Sequence, residues 1–362
     1  MENVVNAFKK IFDKKHRGRT VSYLIVFAAY ILCEVMMLTG NMTSQIRNLL
    51  IPCCSYIVAS LALNLCVGFS GELSLGHAGF LGVGAFSGAV ISGLLVDTIP
   101  SGVVRLILAM LVAAALNALL GFLIGIPVLK LQGDYLAIVT LAFCQIIKSL
   151  INNIYLGYDN NGIQFSFVEN KLALGEGAHT LISGPMGVTG SQRISNFTVG
   201  IVLIIIALVI IYNMMYSRNG RAIMAARDNR IAALSVGINV TDTKMLAFVI
   251  SAALTGAAGA LYGLSFSSLS PAKFDFNLSI LILVYVVLGG LGNVTGTIIA
   301  TVILYVLPEM LRSLQDYRML IYAVILIAIM LITNNQKFIV LSNQFSEKMR
   351  NLFKKKGAEN HE

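Results

Sequence analysis

The sequence predicts an all-α polytopic membrane protein with about ten transmembrane segments and both termini cytoplasmic. Composition is the first reason. Of 362 residues, 57% are hydrophobic and 12% charged, with a mean hydropathy of +0.82, whereas a soluble domain is nearer a quarter charged. The second is a series of windows long enough to cross roughly 30 Å of hydrocarbon as helix. They lie at 21–40, 46–67, 70–96, 103–126, 135–156, 197–216, 243–266, 278–290, 294–311 and 319–334. The third is charge placement. Lys and Arg collect at residues 9–19, at Lys130, between Arg218 and Lys244, and beyond residue 336. An even number of crossings puts all of these on the cytoplasmic side, where basic residues accumulate. The net charge of +9 therefore has a membrane explanation and calls for no nucleic acid.

Taken in order, the chain starts with a basic cytoplasmic tail, residues 1–20, followed by a transmembrane domain over 21–335. The first apolar run follows Lys14, Lys15, Arg17 and Arg19 as a signal peptide would, but it is too long and lacks a small-x-small cleavage site. A retained helix is expected. Glu34 lies toward its outer end, within reach of the interface. Cys33, Cys53, Cys54, Cys66 and Cys144 sit in apolar runs without a CxxC spacing and read as small hydrophobes.

The third window is too long for one simple helix. Its 27 residues would span about 40 Å at 1.5 Å per residue. The surplus coincides with Gly68-Phe-Ser-Gly-Glu-Leu-Ser-Leu-Gly-His-Ala-Gly-Phe-Leu-Gly-Val-Gly84. Irregular backbone within a bilayer is tolerated only where protein buries it or water takes up its polar groups. A broken or re-entrant entry is expected here, with helix from about Ala78. Ser70, Gly71, Glu72, Ser74, Gly76 and His77 are the candidate translocation-path residues. Two readings of Glu72 and His77 stand side by side: they meet a zwitterionic solute, or they bond the freed backbone or each other and hold the break in shape.

Small residues four apart recur at Gly84 and Gly88, at Ala252, Gly256 and Ala260, and at Gly292 and Gly296. That spacing lets helix backbones approach closely. Asn64 and Asn117 are expected to bond across helices. Residues 157–196 form the longest polar stretch and fall outside, either as a docking surface for an external partner or as a loose insertion. Residues 336–362 make a basic, amphipathic cytoplasmic tail with Phe338, Leu341, Phe345, Met349 and Leu352 at helical spacing, suited to the inner membrane surface.

The cytoplasmic loop 217–242 is rich in alanine and arginine. Ala222, Ala225 and Ala226 favour one short helix. Asp228 or Asn229 caps a second one, which ends at Gly237. The loop is either a solvated face or a lever that a partner grips at 231–237. Arg221, Arg227, Asp228, Ile231, Ala232, Ala233 and Gly237 are the candidate coupling residues.

Ile231-Ala-Ala-Leu-Ser-Val-Gly237 resembles the Glu-Ala-Ala-x-x-x-Gly coupling motif of ABC importer permeases, with Ile231 in place of Glu. Over about residues 45–335 the chain resembles the branched-chain amino-acid importer permeases, and the larger of their two types. The motifs that carry this are residues 68–84, Leu131-Gln-Gly-Asp-Tyr-Leu-Ala-Ile-Val-Thr-Leu141, the Gly220 to Val240 loop, Leu288-Gly-Gly-Leu-Gly-Asn293 and the turn Ser183-Gly-Pro-Met-Gly187. Residues 155–180 look like an insertion relative to that family, and Thr333-Asn-Asn-Gln-Lys337 stands where it has an Arg-Pro-Gln-Gly-like segment.

The resemblance implies a permease subunit of a bacterial cytoplasmic (inner) membrane importer, moving branched-chain amino acids by alternating access. It implies two ABC ATPase subunits on the cytoplasmic loops, a second homologous permease and an external solute-binding protein. The chain has no Gly-x-x-x-x-Gly-Lys-Ser/Thr loop, so ATP and Mg are expected in the ATPase subunits. No cofactor, metal or catalytic residue is expected in this chain, and it is not read as an enzyme. Two alternatives remain: a related permease for urea, short amides or simple sugars, and an ion-coupled secondary transporter.

Overall fold

A computed structural model describes residues 17–40, 42–96, 98–131, 133–159, 162–167, 179–311 and 317–334. Most of the two tails lies outside these residues, including the amphipathic pattern expected beyond residue 336. The chain divides into two units, residues 1–302 and 303–362.

In the first unit, helices α1 (Arg17–Leu38), α2 (Ser44–Asn64), α3 (His77–Leu94), α4 (Gly102–Val128), α5 (Asp134–Asn152) and α6 (Phe197–Tyr216) follow the apolar windows closely. Two short helices come next, α7 (Arg218–Asp228) and α8 (Arg230–Ser235), then α9 (Val240–Gly263), α10 (Phe276–Gly289) and the start of α11 (Val294–Met310). The described part of the second unit holds the last turns of α11 and helix α12 (Arg318–Asn334). Among the described residues, seven helices are long and apolar enough to cross a membrane: α1 to α6, with α2 extended to Phe69, and α9. Helices α10 and α11 are shorter.

Glycine sets the core. A Cβ on Gly84 of α3 would run into the Gly256 carbonyl of α9, and one on Gly88 would lie 2.7 Å from the Ala260 Cβ. A Cβ on Gly121 of α4 would lie 2.7 Å from the Ala252 Cβ. Two of the ladders seen in the sequence, Gly84 with Gly88 and Ala252 with Gly256 and Ala260, are thus the seams along which α3, α4 and α9 meet, whereas Gly296 of the third packs on Gly289 instead. Such close backbones gain dispersion and Cα–H···O contacts that larger residues would forbid. Helices α2, α3 and α9 are the most buried of the seven, and α1 the least.

The expected all-α architecture needs a correction. Residues 154–189 carry an antiparallel sheet of order β2-β1-β3, built from β1 (Ile154–Asp159), β2 (Gly162–Phe167) and β3 (His179–Ser183). β4 (Val188–Thr189) pairs with β5 (Ser268–Leu269), which joins this region to the α9–α10 connection. The strands form because Tyr155, Phe165 and Phe167 favour extended backbone, and β1 pairs with β2 in a register that runs from Ile154 with Phe167 to Asp159 with Gly162. In the turn 183–187, Gly187 has φ +71°, and a Cβ there would strike the Leu269 carbonyl. Only glycine fits.

Candidate functional site: the α6–α9 loop and the glycine-rich segment

The loop between α6 and α9 folds as two capped helices. Ser217 Oγ accepts the Gly220 N–H at 3.1 Å, and Asn229 Oδ1 accepts the Ala232 N–H at 3.0 Å. Each bond satisfies a donor that the helix start leaves free. Helix α8 ends in a Schellman motif. Gly237, at φ +82°, donates to the Leu234 carbonyl, and Ile238 donates to that of Ala233, both at 3.0 Å. Ala226, Ala233, Val240 and Ile238 form a small apolar cluster that fixes α8 against α7 and the start of α9.

This cluster divides the candidate coupling residues. Ala233 is buried, so it is a packing residue and not part of a smooth outer surface. Ala232 and Gly237 are exposed. Ile231, Leu234 and Val236 are 78%, 53% and 75% exposed and form the apolar outer face of α8. Arg221 donates to the Tyr216 carbonyl at 3.2 Å and clamps the α6–α7 junction.

Arg227 reaches away from the loop. Its Nη1 donates to the Gly68 carbonyl at 2.7 Å, while Nε and Nη2 hold Asp228 Oδ1 at 3.0 and 2.9 Å. Its methylenes cover Gly71, where an added Cβ would come within 2.6 Å of the Arg227 Cγ. A loop side chain therefore grips Gly68, the first residue of the glycine-rich segment.

That segment begins where α2 widens into a π-helical turn, Leu65–Phe69. Residues 71–76 are then irregular, with Gly71 at φ +75°, and α3 starts at His77. Its backbone is satisfied from outside: the Glu72 N–H reaches the Cys66 carbonyl at 3.2 Å and the Leu75 N–H reaches Thr140 Oγ1 at 3.0 Å. The Glu72 carboxylate forms an ion pair with Lys244 of α9, both side chains being close to nine-tenths buried. Ser251 Oγ donates to the Ala62 carbonyl at 2.5 Å and is 2.7 Å from His77 Nε2. With the Ser251 proton so used, Nε2–H is the donor, and Nδ1 accepts from Ser74 Oγ at 3.2 Å. Ser70, Ser74, Gly76 and His77 are buried, and Gly71 is exposed.

Glu72 and His77 therefore bond neither each other nor the freed amides. Both are tied to α9, at Lys244 and Ser251, positions about 10 Å apart along that helix. Asn64 bonds across the core as expected, donating to Thr297 Oγ1 and accepting from the Gly292 N–H, both at 2.9 Å. Asn117 does not: its amide donates to Ala113 of its own helix. Sequence reasoning missed Lys244 as the partner of Glu72. The signal was a lysine four residues inside an apolar helix, where a cation requires a counter-charge.

The profile of a family described as "Branched-chain amino acid transport system / permease component" matches residues 45–332. The high-affinity branched-chain amino acid transport system permease protein LivM of Salmonella typhimurium is 37% identical over 289 residues, which cover 76% of this chain and 66% of LivM. The corresponding LivH protein of Escherichia coli K12 is 29% identical over 46% of this chain and 58% of its own length. The ribose import permease protein RbsC of the same strain is 27% identical over 65% of this chain and 71% of its own length. The chain thus spans slightly under two thirds of the LivM length. No solved structure matches it.

Proposed function

Because this chain belongs to the family of branched-chain amino acid transport system permease components, we propose that it is the membrane-spanning subunit of an ATP-driven importer of branched-chain amino acids. The family match over residues 45–332 carries this reading. The stronger likeness to LivM than to the ribose permease favours amino acids over sugars. The chain would work in a bacterial inner membrane with ten crossings and both tails cytoplasmic, beside a second, LivH-like permease. Two ATPases would bind the loops of the two permeases, and an external binding protein would deliver solute.

The loop is well built for coupling. Its apolar outer face, Ile231, Leu234 and Val236, would seat in an ATPase groove, and the isoleucine docks by contact where the resembling motif has a glutamate. Movement of the loop would pass through two charged links. Arg227 pulls on Gly68, and Lys244, at the base of α9, pulls on Glu72. Residues 68–77 would then shift with the loop. His77 and Glu72 hold this segment in shape and are already engaged by protein groups, which favours a holding role over solute contact.

Docking is tested by co-purification. Ile231→Asp combined with Val236→Asp places two charges on the exposed face and leaves the Ala226–Ala233–Val240 cluster intact. The pair should reduce recovery of the ATPases at least tenfold, roughly the effect of burying one unpaired charge in an interface, with membrane insertion unchanged. Wild-type recovery of the ATPases with this pair would overturn the docking face. Ala233→Glu should instead disorder the loop, because it forces a carboxylate into that cluster.

A further inference from the structure

Glu34 and Arg47 lie at matching depth on consecutive helices. Glu34 is one turn from the end of α1, and Arg47 is in the first turn of α2. Neither side chain has an ion-pair or hydrogen-bond partner among the described residues. Both line one cavity of about 520 Å³, together with Leu50, Val103 and Phe197. The cavity lies where α1 ends and α2, α4 and α6 begin, which is the depth of lipid headgroups. Two opposite charges held at this level without a protein partner point to a ligand that carries both signs.

An apolar groove continues from this cavity, and Thr198 and Val199 line both. The groove, about 550 Å³, runs between α4 and α6, with the more deeply buried α9 behind them. Thr198 apart, its lining is apolar. Leu111 of α4 and Val202 and Ile206 of α6 are exposed along it, so the groove opens sideways toward the bilayer. From Val199 to Ile210 it extends about 16 Å at 1.5 Å per residue. That is close to half of the roughly 30 Å hydrocarbon core, the depth of one leaflet. A free amino acid is far shorter.

We propose that the cavity and the groove together bind one phospholipid with an ethanolamine headgroup. Arg47 takes the phosphate, Glu34 takes the primary ammonium, and one acyl chain lies in the groove. Charge complementarity selects the headgroup. An anionic lipid satisfies Arg47 but sets its charge beside Glu34. A choline headgroup keeps both charges but has no N–H to donate to the carboxylate. An apolar helix of another subunit, laid in the groove, leaves both charges unpaired. The site does not depend on the importer reading.

Native mass spectrometry of the delipidated full chain in detergent tests this with phosphatidylethanolamine, phosphatidylglycerol and phosphatidylcholine of matched acyl chains. Phosphatidylethanolamine should bind about tenfold more tightly than phosphatidylglycerol, with phosphatidylcholine between them. Glu34→Gln should remove most of that preference, chiefly by weakening phosphatidylethanolamine. Arg47→Gln should weaken all three by roughly three- to tenfold, the scale of a partly exposed charged contact. Ala253 of α9 also lines the groove and is half-buried. Ala253→Phe should fill the groove from behind, weakening all three lipids while keeping the preference. The proposal is overturned if wild type binds the three lipids equally, if Glu34→Gln keeps the preference, or if Ala253→Phe binds like wild type. Displacement of the lipid by L-leucine would overturn it as well and make the cavity a solute site. In the assembled particle, a photo-crosslinker at position 206 should capture lipid, and capture of another subunit in its place would contradict the proposal.

Discussion

Replacing Lys244 with Met should destabilise the protein by about 3–5 kcal/mol, the usual cost of leaving one member of a buried ion pair unpaired. The Glu72 carboxylate would remain almost enclosed with no counter-charge, since it and Lys244 are only 11% and 12% exposed. Thermal unfolding monitored by size exclusion reads the loss directly. Glu72→Gln should cost a similar amount, because it strands the ammonium instead. The double variant Glu72→Gln/Lys244→Met removes both charges and should recover most of the stability. It should not recover transport. With the Lys244 link gone, the assembled complex should hydrolyse ATP while moving less solute per ATP. A double variant with wild-type stability and a wild-type ratio of solute to ATP would reduce the pair to packing.

Gly256→Val should prevent formation of the helix core altogether. A Cβ at Gly256 would lie 2.7 Å from the Ala113 carbonyl oxygen and 2.7 Å from the Asn117 Cβ, and the Gly256 backbone is itself close enough to α3 to exclude a Cβ on Gly84. The Ala113 oxygen is backbone and cannot rotate away, and the Asn117 Cβ is fixed to its own helix backbone. Overpacking of this kind costs 1–3 kcal/mol even where side chains can adjust, and more where main chain must move. The expected result is the loss of a monodisperse species after extraction. Gly237→Ala is the contrasting variant. Nothing lies within 4 Å of a Cβ there, so only the positive φ opposes it, at about 1 kcal/mol. A monodisperse Gly256→Val protein would mean that α3, α4 and α9 meet along other faces.

Much of this arrangement was legible in the sequence because it follows local rules. Helix spans follow from apolar length, and the break before α3 coincides with a glycine-rich surplus in one window. The start and end of α8 were marked by Asn229 and Gly237. Pairings were not legible, since nothing local joins Glu72 to Lys244 or His77 to Ser251 across more than 170 residues. Ala232 and Ala233 show the same limit: adjacent and identical, one is exposed and the other is core, because the side of α8 that meets α7 is decided by the Asn229 cap. Asn117 illustrates the converse, a polar residue at membrane depth that turns back to its own helix. The sheet at 154–189 was within reach, since the alternation of Phe165 and Phe167 beside Asn160 and Asn161 is a hairpin signal. It was overlooked in a chain whose other windows all read as helix.

Solute uptake into proteoliposomes tests the central claim most directly. With the ATPases, the second permease and the binding protein reconstituted, uptake of L-leucine should require ATP and should vanish when any one of them is omitted. Uptake by this chain alone, driven by a proton or sodium gradient, would contradict the account.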